Sequence, residues 1–373
     1  MKPLEGLRVI SIEQFAAGPY GSMYLADMGA DVIKIENDES GDPARSIGPY
    51  FLESGSSQVF EGWNTNKRSL RLNLKTEAGR AQFEDLVANA DAVANNLRGD
   101  QPEKLRLDFA SLAKLNERIV CLHLSAYGRD NSRRAWPGYD FLMQAEAGLM
   151  HLTGDPRGDP VRFGASVVDY MTGVTGMLGL LAAVRSAQIS NRGCDVDVSL
   201  FDVALHMLSY AGTWYLNEGF AAERLPRGAH LSVTPVQTLR TADGWIYVMC
   251  MTQKFWLAML DVLGCEQLQV DERFRTPQSR TEHREALTVA LDREFMRQST
   301  AHWLERLSGI LPVAPVLGVR EALENPFVCE TGMVASVPHP GKKDFRLLAN
   351  PLKFNQKRLS QQPCRPYSSE GPE

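Results

Sequence analysis

The sequence predicts an α/β protein: a large domain built on a parallel, doubly wound sheet, with a smaller α+β domain set into the chain. Three observations predict it. The first 36 residues read as strand, helix, strand. Two later strand-like runs each follow a helical segment. From about residue 227 the texture changes to a hairpin and a run of helices, after which the chain returns. Strands that alternate with helices argue for a parallel sheet, because parallel neighbours need a crossover connection.

The elements can be justified in order. Residues 7–12 are an apolar, strand-like run. The turn EQFAAGP follows, then a helix over 20–28 that Gly29 stops as a C-terminal glycine cap. DVIKIE (31–36) is a second strand and completes a βαβ unit. A helix over 78–88 leads into the strand-like DAVANN, and a helix over 109–115 leads into IVCLHLSAYG. Further on, HLSVTPVQTLRTADGWIYVMC places strands around the turn ADG. Residues 253–307 are helix-rich, with Trp256 and Trp303 as core residues; VAPVLGVREALENP is a return path and GMVASV a strand. The expected domains are 1–225, with 326–373 returning to it, and 226–325. The polar end, 357–373, is expected to be disordered.

Bulk properties remove several classes. The chain has 373 residues, a net charge of −5 and no basic stretch interleaved with aromatics, so nucleic acid is not an expected partner. MKPLEGLRVISIE is neither a signal nor a transit peptide. No uncharged apolar run reaches the roughly 18 residues of a membrane span; residues 170–184 come nearest and are rich in glycine. Six scattered cysteines, without C-x-x-C spacing or nearby histidines, disfavour a metal site and a disulfide framework and suit a cytoplasmic protein. A dinucleotide-binding dehydrogenase would need G-x-G-x-x-G after the first strand. Only Gly18 and Gly21 are there, with Pro19 between, and Glu36 at the end of the second strand is weak support alone.

The most informative stretch is VRFGASVVDYMTGVTGMLGLLAAVR, 161–185. Between Arg162 and Arg185 its one charged residue is Asp169, at the head of a small-residue, apolar run. Gly173, Gly176 and Gly179 suit a buried helix in close packing. Two readings stay open on these residues alone: a cap for free N–H groups, or a carboxylate kept ionised by the helix N-terminus and poised as a nucleophile.

Several segments in fixed order carry a resemblance: AAGPYGSMYLADMGADVIKIE (16–36), GDPAR (41–45), NTNKRSLRLNLKTEAGR (64–80), PGYDFLMQAEAGLM (137–150), the Asp169 stretch, GCDVDVSLFDVAL (193–205), TADGW (241–245) and NPFV (325–328). Together they resemble the class III CoA-transferases, the family of formyl-CoA and carnitine-type transferases and of α-methylacyl-CoA racemases, over about residues 3–355. The resemblance implies an interlocked homodimer of chains with a Rossmann-like large domain and a smaller one. It implies CoA and acyl-CoA as substrates rather than a permanently bound cofactor, and a free carboxylic acid as the second substrate.

By the same resemblance the nucleophilic aspartate falls on Asp169. Ala17 matches the turn that approaches the pantetheine; Leu72 and Lys75 match adenine and phosphate contacts. Asn96, Leu97 and Arg98 match the segment under the nucleotide. Lys104 stands where relatives place an arginine facing phosphate, and Tyr139 matches a contact near the thiol.

There are departures. Ala16 stands where some formyl-CoA transferases have Gln, RGAHLSVTPVQ replaces their Gly-rich loop, Asn37 replaces a basic residue, and the C-terminal part is abbreviated. Formyl and oxalyl substrates are therefore disfavoured, and the HLSVTPVQ loop, which resembles that of relatives acting on succinyl-CoA, implies instead dicarboxylic acids of four to six carbons. A racemase on the same fold would pair a histidine with an aspartate. Its G-H-D context reads Gly138-Tyr139-Asp140 here, and tyrosine, with a reference pKa near 10, is a poor replacement. The racemase is the alternative, and a CoA-binding paralogue without catalysis a more distant one.

Overall fold

The pattern of buried residues in the strands already dictates a three-layer arrangement. In this structure, a computed structural model that describes residues 2–367, the chain divides into two units. The first comprises Met1–Gly148, Phe163–Gly212 and Pro326–Glu373; the second comprises Leu149–Arg162 and Thr213–Asn325.

The first unit holds strands β1 (Arg8–Ile12), β2 (Asp31–Glu36), β3 (Arg68–Arg71), β4 (Ala92–Asn95), β5 (Val120–Ser125) and β6 (Asp195–Ser199). They form one parallel sheet in the order β3-β2-β1-β4-β5-β6, with Val9 opposite Val32 on one side and Ala92 on the other. Among its helices are α1 (Ala17–Asp27), α2 (Glu77–Ala88), α3 (Asp140–Glu146), α4 (Val167–Ser190) and α5 (Leu200–His206).

Alternate strand residues feed opposite faces, as the two-residue period requires. Val9, Val32, Ala92, Ala94, Leu122 and Leu124 pack with Leu25 of α1 and Met177 and Leu180 of α4. Ile10, Ile35, Val93 and Cys121 pack with Phe83 and Val87 of α2 on the other face. Sheets covered on both faces are where parallel strands occur.

Helix α1 begins at Ala17, three residues before the expected start. Pro19 is tolerated there because first-turn N–H groups have no intrahelical partner. β3 was not expected. Its RSLR sequence lacks an apolar pattern, because Arg68 is buried through an ion pair with Asp31 at 2.6 Å.

Helices α1 and α4 meet backbone to backbone. A Cβ on Gly21 would stand 2.5 Å from the carbonyl oxygen of Gly173, and one on Gly173 would stand 2.2 Å from that of Ala17. Gly176 faces the Leu124 side chain and Gly179 the Val196 side chain. The glycine pattern expected to allow close packing does so, most tightly at Gly173.

The second unit is an antiparallel three-stranded sheet, Val236–Arg240, Trp245–Met249 and Val313–Pro315. Helices Gln253–Leu263, Arg284–Phe295 and Thr300–Leu307 close its core around Trp256, Phe274 and Trp303. The segments 149–162 and 213–225 group with this unit, not with the expected 1–225. The Arg224 guanidinium ties them together, donating to the carbonyls of Thr153 at 3.4 Å and Asp159 at 3.0 Å.

The expected disorder from 357 is also corrected. Lys357–Arg358 pairs with Lys353–Phe354, and Arg365–Pro366 adds an edge strand beside β3. Main-chain bonds run from Arg365 N to the Lys67 carbonyl (3.0 Å) and from Tyr367 N to that of Ser69 (2.7 Å). Edge pairing of this kind uses backbone groups, so a polar composition does not reveal it. Residues 368–373 of the expected tail lie outside the described residues.

Candidate active site

The sheet order places a crevice where connections change direction. From β1 the chain runs outward through β2 and β3, then crosses to β4 on the other side of β1. The carboxyl ends of strands at such a switch point are where open α/β sheets take ligands. A cavity of about 180 Å³ lies there, walled by the residues that follow β1, β4, β5 and β6 and by the head of α4.

Gln14, Phe15, Ala16 and Ala17 form the wall after β1. Phe15 has φ 58°, the left-handed region, where a bulky aromatic is an outlier. Asn96, from the end of β4, grips Gln14 at both main-chain groups: its Oδ1 accepts Gln14 N at 2.9 Å and its Nδ2 donates to Gln14 O at 2.6 Å. Leu97 and Arg98 line the same cavity, as do Trp136 and Tyr139. Tyr139 is exposed and meets Phe15 edge-on at 6.0 Å.

Asp169 lies in the first turn of α4, partly buried and in the cavity lining. It is not the helix cap. The N-cap is Ser166, and the Asp169 N–H donates to Asp140 Oδ2 at 2.9 Å, so the capping carboxylate comes from α3. Asp140 is 2% exposed and also accepts from the Gln144 side-chain amide. Burial and then the Asp140 charge push the Asp169 carboxyl up to about 7. Desolvation and the like charge both act against the ionised form that a helix N-terminus favours.

The structure gathers Ala17, Asn96, Leu97, Arg98, Tyr139 and Asp169 around one cavity. Leu72, Lys75 and Lys104 are outside its lining. Leu72 is a core residue just past β3, and Lys75 is exposed beyond it. Lys104 donates to Asp100 Oδ2 at 2.6 Å, while the Arg98 Nε donates to Oδ1 of the same carboxylate at 2.6 Å.

Sequence reasoning missed Gln14, Phe15, Trp136 and Asp140 as parts of the site. Asp140 carried a signal, since it follows Tyr139 directly in the PGYD segment. Phe15 carried none, because its strain is tertiary.

Among the described residues no histidine lines the cavity; His123, the nearest in chain position to its lining, is bound to Asp195 (2.8 Å) and Asn95 (2.9 Å) beneath the sheet end. Glu36, the residue a dinucleotide ribose would need, is engaged by Arg45 at 2.7 Å and by Ser69. Burial pushes its carboxyl up, but these bonds and the Asp42 N–H outweigh burial and hold it down at about 2.

Comparison with known proteins decides the family. The profile of CoA-transferase family III matches residues 4–370. The chain belongs to that family. It is 32% identical to the succinate–glutarate CoA-transferase of Agrobacterium fabrum, over 89% of this chain and 84% of that one. It is 34% identical to the acetyl-CoA:oxalate CoA-transferase of Acetobacter aceti, over 89% and 85%. The crystal structure of a CAIB/BAIF family protein from Brucella suis superposes with a TM-score of 0.85 at 30% identity, covering 99% of this chain and 97% of that one. The chain is therefore an enzyme, a class III CoA-transferase, and CoA thioesters are its substrates.

Proposed function

We propose that this transferase moves CoA from an acyl-CoA to a free dicarboxylic acid, with Asp169 as the nucleophile. The observation that carries this is the position of Asp169: a partly buried carboxylate at the head of α4, facing the switch-point cavity. An Asp169 oxygen attacks the thioester carbonyl and expels CoA thiolate, leaving a mixed anhydride. The thiolate attacks the aspartyl carbonyl, releases the donor acid as carboxylate and leaves an aspartyl-CoA thioester. The acceptor carboxylate then attacks that thioester, and the thiolate returns to the new acyl group, freeing Asp169. No water enters, so the thioester bond energy is retained.

The same cavity supports the placement of CoA. Asn96, Leu97 and Arg98, which line it, would pass under the CoA, and Tyr139 would lie near its thiol end. Leu72 and Lys75 sit at the carboxyl end of β3, two strands or about 10 Å from β1, where the nucleotide end of an extended CoA would pass. Dicarboxylic acids of four to six carbons fit the succinate–glutarate relative. The acetyl-CoA:oxalate CoA-transferase relative keeps the two-carbon acid in the panel to be tested, against the lean drawn from the sequence.

An interlocked homodimer is part of this reading, and α4 supports it. The helix has the length and apolarity of a membrane span, yet Val168, Met177, Leu180 and Val184 are buried on the sheet while Met171, Val174, Leu178 and Ile189 are exposed. A second copy would cover that second apolar face. Six free cysteines fit a reducing cytoplasm. The experiment that tests the function loads enzyme with acyl-CoA alone, then adds hydroxylamine. Modification at Asp169, prevented by prior addition of an acceptor acid, is expected; transfer without labelling of Asp169 would remove it as nucleophile.

A further inference from the structure

Under the wall of the cavity lies a set of buried charges that the transfer chemistry does not use. Lys34 on β2 and Lys67 just before β3 are both fully buried. The Lys34 ammonium donates to the Glu13 carbonyl at 2.7 Å and pairs with Asp42 at 2.8 Å, with neither side chain exposed. Asp42 Oδ1 in turn accepts Phe15 N at 3.2 Å. The Lys67 ammonium donates to the Pro19 carbonyl at 2.8 Å and to Asn64 Oδ1 at 2.9 Å. One turn is therefore gripped from below at residues 13, 15 and 19, and the cavity wall, 14–17, lies between the grips.

That wall is strained. Phe15 at φ 58° is a conformation that an aromatic residue keeps only when its surroundings impose it. Burying an ammonium is costly, and burial drags Lys67 down to about 7. Methionine would fill a similar volume without that cost. What lysine adds is a long-reach donor to a main-chain carbonyl, and a neutral amine still donates.

We propose that Lys34 and Lys67 are positioning residues of the acyl-CoA site: they hold the Glu13–Pro19 turn in the shape that the thioester end of CoA requires, without touching it. This rests on acyl-CoA occupying the switch-point cavity. The test is Lys67→Met, checked for folding by its circular dichroism and melting. KM for acyl-CoA and the Kd of free CoA should rise by on the order of tenfold, the weight of one charge-assisted hydrogen bond. KM for the acceptor acid should change by less than about twofold. A purely structural role would instead lower kcat through lost active enzyme and leave both KM values in place; that result, or a folded variant with unchanged CoA affinity, overturns the proposal.

If Lys67→Met does not fold, the pair Lys34→Met with Asp42→Asn carries the test. It removes the grip on Glu13, takes out one buried positive and one buried negative charge together, and keeps an acceptor for Phe15 N; the same two outcomes apply. Failure here is distinct from failure of the nucleophile, because these variants lose affinity and keep transfer, whereas loss of Asp169 keeps affinity and abolishes transfer.

Discussion

Helices α1 and α4 open on the same cavity, yet their first turns are furnished in opposite ways. α1 starts at Ala17 with no side-chain cap and no acidic residue in its first turn. α4 carries Asp169 in its first turn, and Asp140 accepts the Asp169 N–H. Burial first, and then the charge of Asp140, drive the Asp169 carboxyl towards protonation. The α1 end keeps partial positive charge from its unbonded N–H groups. One terminus carries an acid in its own first turn; the other has the buried Glu13 side chain, from the turn before it, packed against Gly18.

The strongest way to break this contrast is Asp169→Asn. The variant should fold and bind acyl-CoA, since Asn has the same shape, and transfer should fall by roughly 10⁴-fold or more, as for other lost nucleophiles. Transfer within about tenfold of the parent would return Asp169 to a structural role.

Next in size is the contact that holds the two termini together. Gly173→Ala places a Cβ 2.2 Å from the Ala17 carbonyl oxygen, and overpacking of this kind costs about 1–3 kcal/mol. Gly179→Ala meets only Val196 Cγ1, at 3.1 Å, and should cost less than about 1 kcal/mol. Denaturant melts of both variants check the order, and kcat/KM should fall with Gly173→Ala alone.

The acid at the α4 end makes a pH prediction. With the Asp169 carboxyl at about 7, kcat/KM for acyl-CoA should rise as pH approaches 7 and level off above it. Asp140→Asn keeps an acceptor for the Asp169 N–H but removes the charge, so the inflection should move to lower pH. The stability sign follows from the raised folded value: the contribution is present below about pH 4, the unfolded value, and is lost as pH rises through 7. Asp169→Asn should therefore be more stable than the parent at pH 8, with the difference closing towards pH 4, as melting curves at both pH values would show.

The smallest effects concern Asp100, which binds Arg98 and Lys104 together. Arg98 lines the cavity and Lys104 does not. Arg98→Ala should weaken CoA binding by a few-fold, and Lys104→Ala, an exposed and screened pair, by less. Comparing CoA with 3′-dephospho-CoA in calorimetry sharpens the assignment. A loss with Lys104→Ala that is large for CoA and absent for the dephospho form would put Lys104 on the 3′-phosphate after all.

Much of this was legible in the residues. The strand-helix alternation gave the parallel sheet, because buried parallel strands are written as apolar runs. Asp169 was conspicuous because a lone charge in an apolar stretch needs a reason. What stayed hidden was tertiary. β3 reads as polar because Arg68 is buried by pairing, and the 365–366 strand is held by main-chain bonds. Asp140 looked like part of a racemase motif, whereas its work is to cap a helix that starts 27 residues later. The strain at Phe15 comes from a carboxylate at Asp42 and an amide at Asn96, which no local pattern connects.

The glycine contact between Gly21 and Gly173 has a bearing on how such an enzyme can diversify. Since main chain meets main chain there, the spacing between the CoA turn and the acid one helical turn before Gly173 does not depend on any rotamer. About two-thirds of the aligned positions differ from the transferases named above. Replacements in the cavity walls can resize the cavity while this joint keeps the Asp169 carboxylate in register with the 14–17 wall, like a fixed stop on a tool whose jaws are exchanged.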